Sequence, residues 1–270
     1  MSTAVPAAPA PTNPPPTASR PTGSPASIPR GELRDQGAVR RDSVAIERWT
    51  ARGLVKVTGE ARFGEGTLDG TITIAGALSA ESVQLRGSLD LGGPGEVRHR
   101  FVGSGSLRTA AAFHAGEADL KGTVRTGGAL SVDRLLKLRG TLDAPSLAVG
   151  ALDFSGDAEV PGTTTGGSIS AHLLASSAFG PIRAKNVSLR AKIPNLVERI
   201  LSRDVEVSVD QIEAETVYLE AVDVEFVRAP KISLGRNAHI TQYEGTIVRR
   251  HPSSRVGFES RSPPPYGLSR

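Results

Sequence analysis

Two carboxylates stand at equivalent points of a repeated sequence: Asp143 follows Gly140 by three residues, and Glu159 follows Gly156 by three residues. Glycoside hydrolases use such pairs, one carboxyl as general acid and the other as base or nucleophile. If the two glycines stack, the acids lie on neighbouring turns, and they are the one carboxylate constellation suited to this chemistry. Their column is polar throughout, so an exposed ladder of mixed charge is the favoured interpretation; it comprises Lys56, Thr73, Asp90, Arg108, Arg125, Asp143 and Glu159.

Other residues with metal, nucleotide or acid–base chemistry form no recognisable motif. The five histidines show neither HxxxH nor HxH spacing and the chain has no cysteine, so we predict no metal site and no cofactor. His114 or His172 would have to act as a lone general base, and a solvent-facing histidine is the simpler interpretation of each. The run GGPG at 92–95 lacks the lysine and the following helix of a phosphate-binding loop, so we interpret it as a turn.

The two acids are positioned by a repeat in which a glycine is followed two residues later by an apolar residue. Its glycines are spaced 17, 17, 18, 17, 18 and 16 residues apart; they are Gly53, Gly70, Gly87, Gly105, Gly122, Gly140 and Gly156. A fixed period of this length, with no helical pattern inside it, is typical of a stacked solenoid. We therefore predict an all-β, single-stranded β-helix with coils of 17 to 18 residues.

Registering the repeats on the glycine separates an apolar interior from a polar exterior. Strand alternation places the residues two before and two after the glycine on one face, and most of them are aliphatic. The residue directly before the glycine points outward, and this position holds a basic ladder made of Arg52, Arg86, Lys121 and Arg139. Small residues recur six positions after the glycine and indicate a further bend. Two bends and a closing turn predict a coil of roughly triangular section.

An enzymatic alternative with a similar period is the hexapeptide acyltransferase fold, whose coils carry an aliphatic residue at every sixth position. The hexad from Ile72 reaches Leu78 and then Gln84, and the hexad from Leu89 reaches Gly95. Because the pattern breaks in both coils, an acyltransferase is disfavoured relative to a non-enzymatic solenoid.

Composition divides the chain into one folded region and two tails. Residues 1–48 form a Pro- and Ala-rich segment and a charged linker, which we predict to be a disordered tail. The β-helix domain is predicted over 49–244, with a short amphipathic helix over 194–203 that has Pro194 in its first turn. Residues 245–270 are polar and basic and are predicted to be a second disordered tail.

Charge and hydropathy limit the classes of binding partner and the cellular compartment that we expect. The net charge is +4 and the pI is about 9.7, but the chain has no Lys/Arg-rich run and only 4% aromatic residues, so we expect no nucleic-acid binding. No apolar run approaches the roughly 20 residues that span a bilayer. The N-terminus lacks the charged start and apolar centre of a signal peptide. With the absence of cysteine, these features predict a cytoplasmic protein.

Two stretches of the chain resemble the bactofilins, the polymer-forming cytoskeletal proteins of bacteria. One is the repeated Gly-x-aliphatic coil, as in LRGSL at 85–89 and LRGTL at 138–142. The other is more specific and runs over 212–220 and on through 227–235 to Tyr243 and Glu244. The resemblance covers roughly residues 50–244. It implies a right-handed β-helix that polymerises end to end without nucleotide, flanked by disordered tails, and a role in cell shape through cell-wall or membrane-associated partners.

We therefore expect a structural scaffold rather than an enzyme, with further copies of the chain as its main partner. The predicted polymer end contacts are Trp49 and Val55 at one end, and Ile232, Leu234, Ile240 and Tyr243 at the other. Two alternatives stay open. A non-polymerising β-solenoid would present the basic ladder to an acidic partner, and a carbohydrate-active or acyl-transferring β-helix would bring acids or a histidine together in a groove.

Overall fold

A computed structural model describes residues 28–192 and 207–259, and within these residues the chain forms strands and no helix. The strands follow one another with short turns between them. They are β1 (Glu32–Arg41), β2 (Val44–Val57), β3 (Ala61–Ile74), β4 (Leu78–Leu91), β5 (Gly95–Thr109), β6 (Phe113–Thr126), β7 (Leu130–Asp143), β8 (Leu147–Val160), β9 (Thr164–Leu173), β10 (Ser177–Phe179), β11 (Ile182–Ala191), β12 (Val207–Glu220), β13 (Asp223–Leu234), β14 (His239–Arg250) and β15 (Arg255–Glu259).

The strands stack as the successive coils of a parallel solenoid. Each strand pairs in parallel with the next one, in the order β1 to β9 and then β11 to β15, which gives about 13 coils. The short β10 lies off this path and pairs with β8 and β12. The predicted all-β solenoid is therefore confirmed for the described part of the chain.

The interior contains the two apolar columns that the glycine register predicts. Leu68 and Leu85, two residues before the glycine, and Ile72 and Leu89, two residues after it, are all at most 2% exposed. In the pairing of β3 with β4, Leu68 lies opposite Leu85 and Ile72 lies opposite Leu89. Because every coil repeats this arrangement, each inward side chain packs on its equivalents in the neighbouring coils, and the core is one continuous stack.

The repeated glycine occupies a backbone position that other residues fit poorly. From Gly53 to Gly156 every repeat glycine has a positive φ, between +96° and +146°. A Cβ at Gly105 would also collide with the carbonyl oxygen of Gly87 in the preceding coil. The second column of small residues brings backbones equally close, since a Cβ at Gly76 would lie 2.7 Å from the carbonyl oxygen of Gly59. That second column bends the chain without a positive φ.

The two 18-residue spacings between repeat glycines each come from one extra residue within a strand. The pairing of β5 and of β7 with their neighbours shifts register, after Val97 in β5 and after Val132 in β7. A bulge of this kind absorbs one residue and bends the strand locally. The glycine of each coil is again opposite the glycine of the next, so the bulges leave the inward columns intact.

The solenoid is longer at both ends than the predicted domain of 49–244. β1 begins at Glu32, within the predicted linker, and β15 ends at Glu259, within the predicted C-terminal tail. Gly37 lies opposite Gly53, so the coil pattern already operates where the sequence is rich in charge. The predicted helix over 194–203 and the outer parts of both tails, 1–27 and 260–270, lie outside the described residues.

Candidate functional site

The six predicted end contacts lie one coil inside the ends of the solenoid. β1 pairs with β2 and covers Trp49 and Val55. β14 covers the two predicted residues of β13, and β15 pairs with the segment of β14 that holds Ile240 and Tyr243. Tyr243 is half-buried, and the other five are buried. The outermost coils are therefore built from β1 at one end and from β14 and β15 at the other, because the fold extends beyond its predicted limits.

An ion pair closes the N-terminal end of the core. Asp35 and Arg41 of β1 occupy inward columns, opposite Ala51 and Val57 of β2. Arg41 Nη2 lies 2.6 Å from Asp35 Oδ1, and Arg41 Nε donates to the same carboxylate. Trp49 Nε1 donates a further hydrogen bond to Asp35 Oδ2 at 2.9 Å. The carboxylate is only 2% exposed, so a hydrogen-bonded charged cluster covers the first rung of the apolar stack.

The cluster keeps Asp35 ionised. Burial by itself would raise the pKa of Asp35, but the hydrogen bonds from Arg41 and Trp49, together with the charge of Arg41, outweigh burial and hold the pKa below its ordinary value. Trp49 in turn packs edge-on against Phe63, with ring centroids 5.3 Å apart. An inward-pointing charge on an end strand is also one of the devices that limit indiscriminate pairing at a sheet edge.

The C-terminal end exposes apolar side chains and also has charge in its inward columns, at Arg250 and Glu259. Ile247 of β14 and Val256 of β15 are partly buried and pack against the core. Val248 and Phe258, in the same terminal coils, are 58% and 63% exposed. Arg250 occupies an inward column there and donates to a carbonyl oxygen of the following turn. The two ends of the solenoid therefore differ: one is covered by an ion pair and the other leaves apolar side chains at the surface.

The predicted basic ladder consists of outward-pointing residues that stand one position before the repeat glycines. Its members are exposed and share one register position in β2, β4, β6 and β7; they are Arg52, Arg86, Lys121 and Arg139. Parallel pairing at about 4.8 Å per coil spreads them over about 24 Å along the solenoid. The ladder is thus a continuous surface feature with polar or acidic residues between its cations.

The ladder continues beyond the last repeat glycine, where sequence reasoning did not follow it. His172 of β9 lies opposite Ser155, and Arg190 of β11 lies opposite His172. Neither residue was assigned to the ladder from the sequence, because Leu173 and Ala191 stand where earlier coils have glycine. The alternation of inward and outward side chains would have identified them, since each residue still stands between two buried aliphatic side chains.

A shallow groove of about 630 Å³ occupies this face between Arg139 and Arg190. Its long side chains are Lys137 and Arg139 on β7 and Arg190 on β11. The Arg190 guanidinium lies 4.9 Å from the centroid of the Tyr218 ring, a cation–π contact that restrains the side chain. Shorter polar side chains lie between these cations: Asp153, Ser155, Ser170, His172 and Ser188. The lining thus holds three cations and one carboxylate, and the carboxylates of Asp119 and Glu220 are register neighbours of Lys137 and Arg190 just outside it. The excess of positive charge in the lining itself favours an anionic ligand.

The two acids with potential hydrolytic chemistry lie on a different face. Asp143 of β7 and Glu159 of β8 are direct register neighbours, as the glycine spacing predicted. Both reach solvent, and Asp143 Oδ2 lies 3.7 Å from Arg125 Nε in the preceding coil. Neither acid lines the groove. Their surroundings are those of an exposed ladder of mixed charge. His114, the other candidate base, forms a surface contact with Asp133 at 3.0 Å.

Residues 28–192 and 207–259 contain no group of three or more His, Asp or Glu side chains arranged to hold a metal ion. The same part of the chain has no helix of the length and apolarity that crossing a membrane requires. Comparison with known proteins finds no match, whether to a family model, to a curated protein or to a solved structure.

Proposed function

We propose that this protein is a bactofilin-like structural scaffold of the bacterial cytoplasm, which assembles end to end into filaments without nucleotide or cofactor. Its solenoid is right-handed with roughly triangular coils, and the filament supports cell shape or localises envelope-associated partners at the inner face of the membrane. The observation that carries the proposal is the state of the two end coils. Among the described residues, no strand pairs with the outer edge of β1 or of β15.

An open end of a solenoid presents two features that favour pairing with another copy. Its outer strand has unpaired N–H and C=O groups, which form a template for a further parallel strand. Its inward side chains are covered on one side only, as the partly buried Leu33 and Val39 of β1 and Ile247 and Val256 of the last coils illustrate. A second copy that continues the stack would satisfy the strand edge and bury these side chains.

The coil-on-coil contact inside the chain is the template for such an assembly. The inner coils share one pattern of inward aliphatic and outward polar residues, and the end coils add charge to their inward columns at Asp35, Arg41 and Arg250. The exposed Val248 and Phe258 add apolar area at the C-terminal end. The Asp35–Arg41 pair places charge at the N-terminal end, so each end offers its own contact chemistry.

The experiment is sedimentation velocity of two matched variants of the full chain. Val248→Lys combined with Phe258→Lys adds charge to the terminal coils, whereas Leu54→Lys adds charge to a side chain that is 56% exposed on the side of the solenoid. We expect the wild type and the Leu54 variant to form large, concentration-dependent species and the terminal double variant to sediment as a small particle. Equal assembly of the terminal and side variants would contradict a contact through the ends.

A further inference from the structure

The cations of the basic face lack the acidic partners that arginines elsewhere on the surface have. Arg62, Arg98 and Arg134, on another face, form ion pairs with Glu60, Glu96 and Glu117 at 3.0 to 3.5 Å. Among the described residues no ion pair forms for the cations of the ladder and groove, which are Arg52, Arg86, Lys121, Lys137, Arg139 and Arg190. Carboxylates are nevertheless register neighbours of several of these cations: Asp69 of Arg52 and Arg86, Glu220 of Arg190, and Asp119 and Asp153 of Lys137. Because none of them is within ion-pair distance, the cations can still contact an external anion.

The groove between Arg139 and Arg190 is the part of this face where several polar side chains lie between cations that have no ion pair. Arg139 and Arg190 are separated by three coil intervals, or about 14 Å. Carboxylates at positions i and i+4 of an extended polypeptide are about 13 Å apart, at about 3.3 Å per residue. A strand running along the solenoid axis would bring one carboxylate to each arginine. The hydroxyls of Ser155, Ser170 and Ser188 between them can each donate to or accept from a main-chain amide.

The acids on the same face distinguish a narrow polymer from a broad anionic surface. Asp69 and Glu220 lie within the ladder, Glu220 opposite Arg190, and Asp119 and Asp153 flank Lys137 in the neighbouring outward column. A membrane of anionic lipids would meet every side chain of a flat face, these carboxylates included. A single extended chain along the ladder would contact Arg139 and Arg190 and pass beside Asp119 and Asp153. Single-stranded nucleic acid would in addition use a series of aromatic stacking platforms, whereas the lining of the groove has no exposed aromatic ring and the partly buried Tyr218, already packed against Arg190, adjoins it.

We infer that the groove between Arg139 and Arg190 is a docking site for an extended acidic polypeptide. Lys137, Arg139 and Arg190 bind its carboxylates, and the serine hydroxyls bind its main chain. Arg52, Arg86 and Lys121 extend the site for longer acidic segments along the same line. The site is independent of the end surfaces, so a filament would display one copy of it per subunit.

The test uses fluorescence anisotropy of a labelled decaglutamate peptide with the full-length chain. The groove variant combines Lys137→Ser, Arg139→Ser and Arg190→Ser. The control variant combines Arg62→Ser, Arg98→Ser and Arg134→Ser, which removes the same charge from the ion-paired face. We expect the groove variant to bind at least about tenfold more weakly and the control to bind within about twofold of the wild type. Equal losses in both variants, or no binding by the wild type, would overturn the inference.

A second variant keeps every cation and tests the groove floor. Ser155→Glu places a carboxylate between Arg139 and Arg190, and we expect it to reduce decaglutamate binding as strongly as the triple substitution; unchanged binding would contradict docking in the groove.

Oligothymidylate and vesicles of anionic lipid serve as further probes. Tighter binding of either probe than of decaglutamate, with the same dependence on Arg139, would assign the groove to that class instead. The Val248→Lys, Phe258→Lys variant should bind decaglutamate like the wild type, which separates this site from self-assembly.

Discussion

Asp35 and Arg41 stand in the first coil where the following coils have apolar residues in the same two inward columns. Charged residues are tolerated there because they pair with each other and because Trp49 donates to the carboxylate. At an end coil the pair also has only one apolar neighbour coil, so its desolvation is incomplete, and Arg41 keeps 36% of its side chain exposed. The ion pair therefore gives the N-terminal end a charged surface that the inner coils do not have.

We predict that Asp35→Asn loosens the first two coils. The substitution leaves Arg41 without its partner and weakens the bond from Trp49, a loss of about 1.5 to 3 kcal/mol. Trp49 is the only tryptophan, so its fluorescence reports this region alone. We expect its emission to shift to the red at a lower urea concentration than in the wild type. Asp42→Asn, which neutralises an exposed acid just after β1, is the control and should leave the transition in place.

The same cluster predicts a pH dependence. The pKa of Asp35 is lowered in the folded chain, so its contribution to stability is complete above its unfolded value of about 4 and is lost as pH falls through the lower folded value. Trp49 emission should therefore stay blue at neutral pH and shift to the red in acid. In Asp35→Asn this acid transition should be absent from the Trp49 signal; an unchanged acid transition would show that other carboxyls govern it.

The repeat glycine acts at the scale of one coil. Gly105 combines a φ of +127° with a carbonyl oxygen of the preceding coil where its Cβ would lie. Gly37 has a φ of +81° but nothing within 4 Å of its would-be Cβ. The two positions therefore separate backbone strain from collision.

We predict that Gly105→Ala destabilises the solenoid by at least about 3 kcal/mol, because strain and collision both act. Gly37→Ala should cost about 1 to 2 kcal/mol, from the left-handed conformation alone. Chemical denaturation followed by circular dichroism gives both values. Equal destabilisation by the two substitutions would mean that the close approach between coils does not matter.

The inward columns carry most of the packing energy of a coil. Leu89 is fully buried between its equivalents, whereas Leu54 is 56% exposed just after its repeat glycine. We predict that Leu89→Ala lowers the free energy of unfolding by about 2 to 5 kcal/mol, through lost burial and a cavity. Leu54→Ala removes the same atoms from the surface and should change stability by less than about 0.5 kcal/mol. Denaturant titration of both variants checks the contrast.

Much of this architecture could be predicted from the sequence because the repeat encodes it one column at a time. Strand alternation around each glycine fixes which residue points inward, and the structure bears out those columns from Gly53 to Gly156. The end coils escaped prediction although Gly37-Ala38-Val39 fits the motif, because Asp35 stands where an aliphatic residue was expected. The groove could not be predicted because it depends on His172 and Arg190, which come after the last repeat glycine.

At the scale of the whole molecule, fourteen strands in the described part of the chain follow one stacking path. Thirteen intervals of about 4.8 Å give the solenoid a length of about 60 Å. Each strand contacts chiefly the strands before and after it, so stability and assembly both follow from nearest-neighbour contacts. A filament in this account is the same stack continued from one copy to the next.

Electron microscopy of the purified full-length chain, without nucleotide, shows directly whether copies assemble through their ends. We predict unbranched filaments one solenoid wide, with an axial repeat of about 60 Å or a simple multiple of it, set by the length of one copy. Separate single particles at every protein concentration, confirmed as monomers by light scattering, would contradict assembly through the ends.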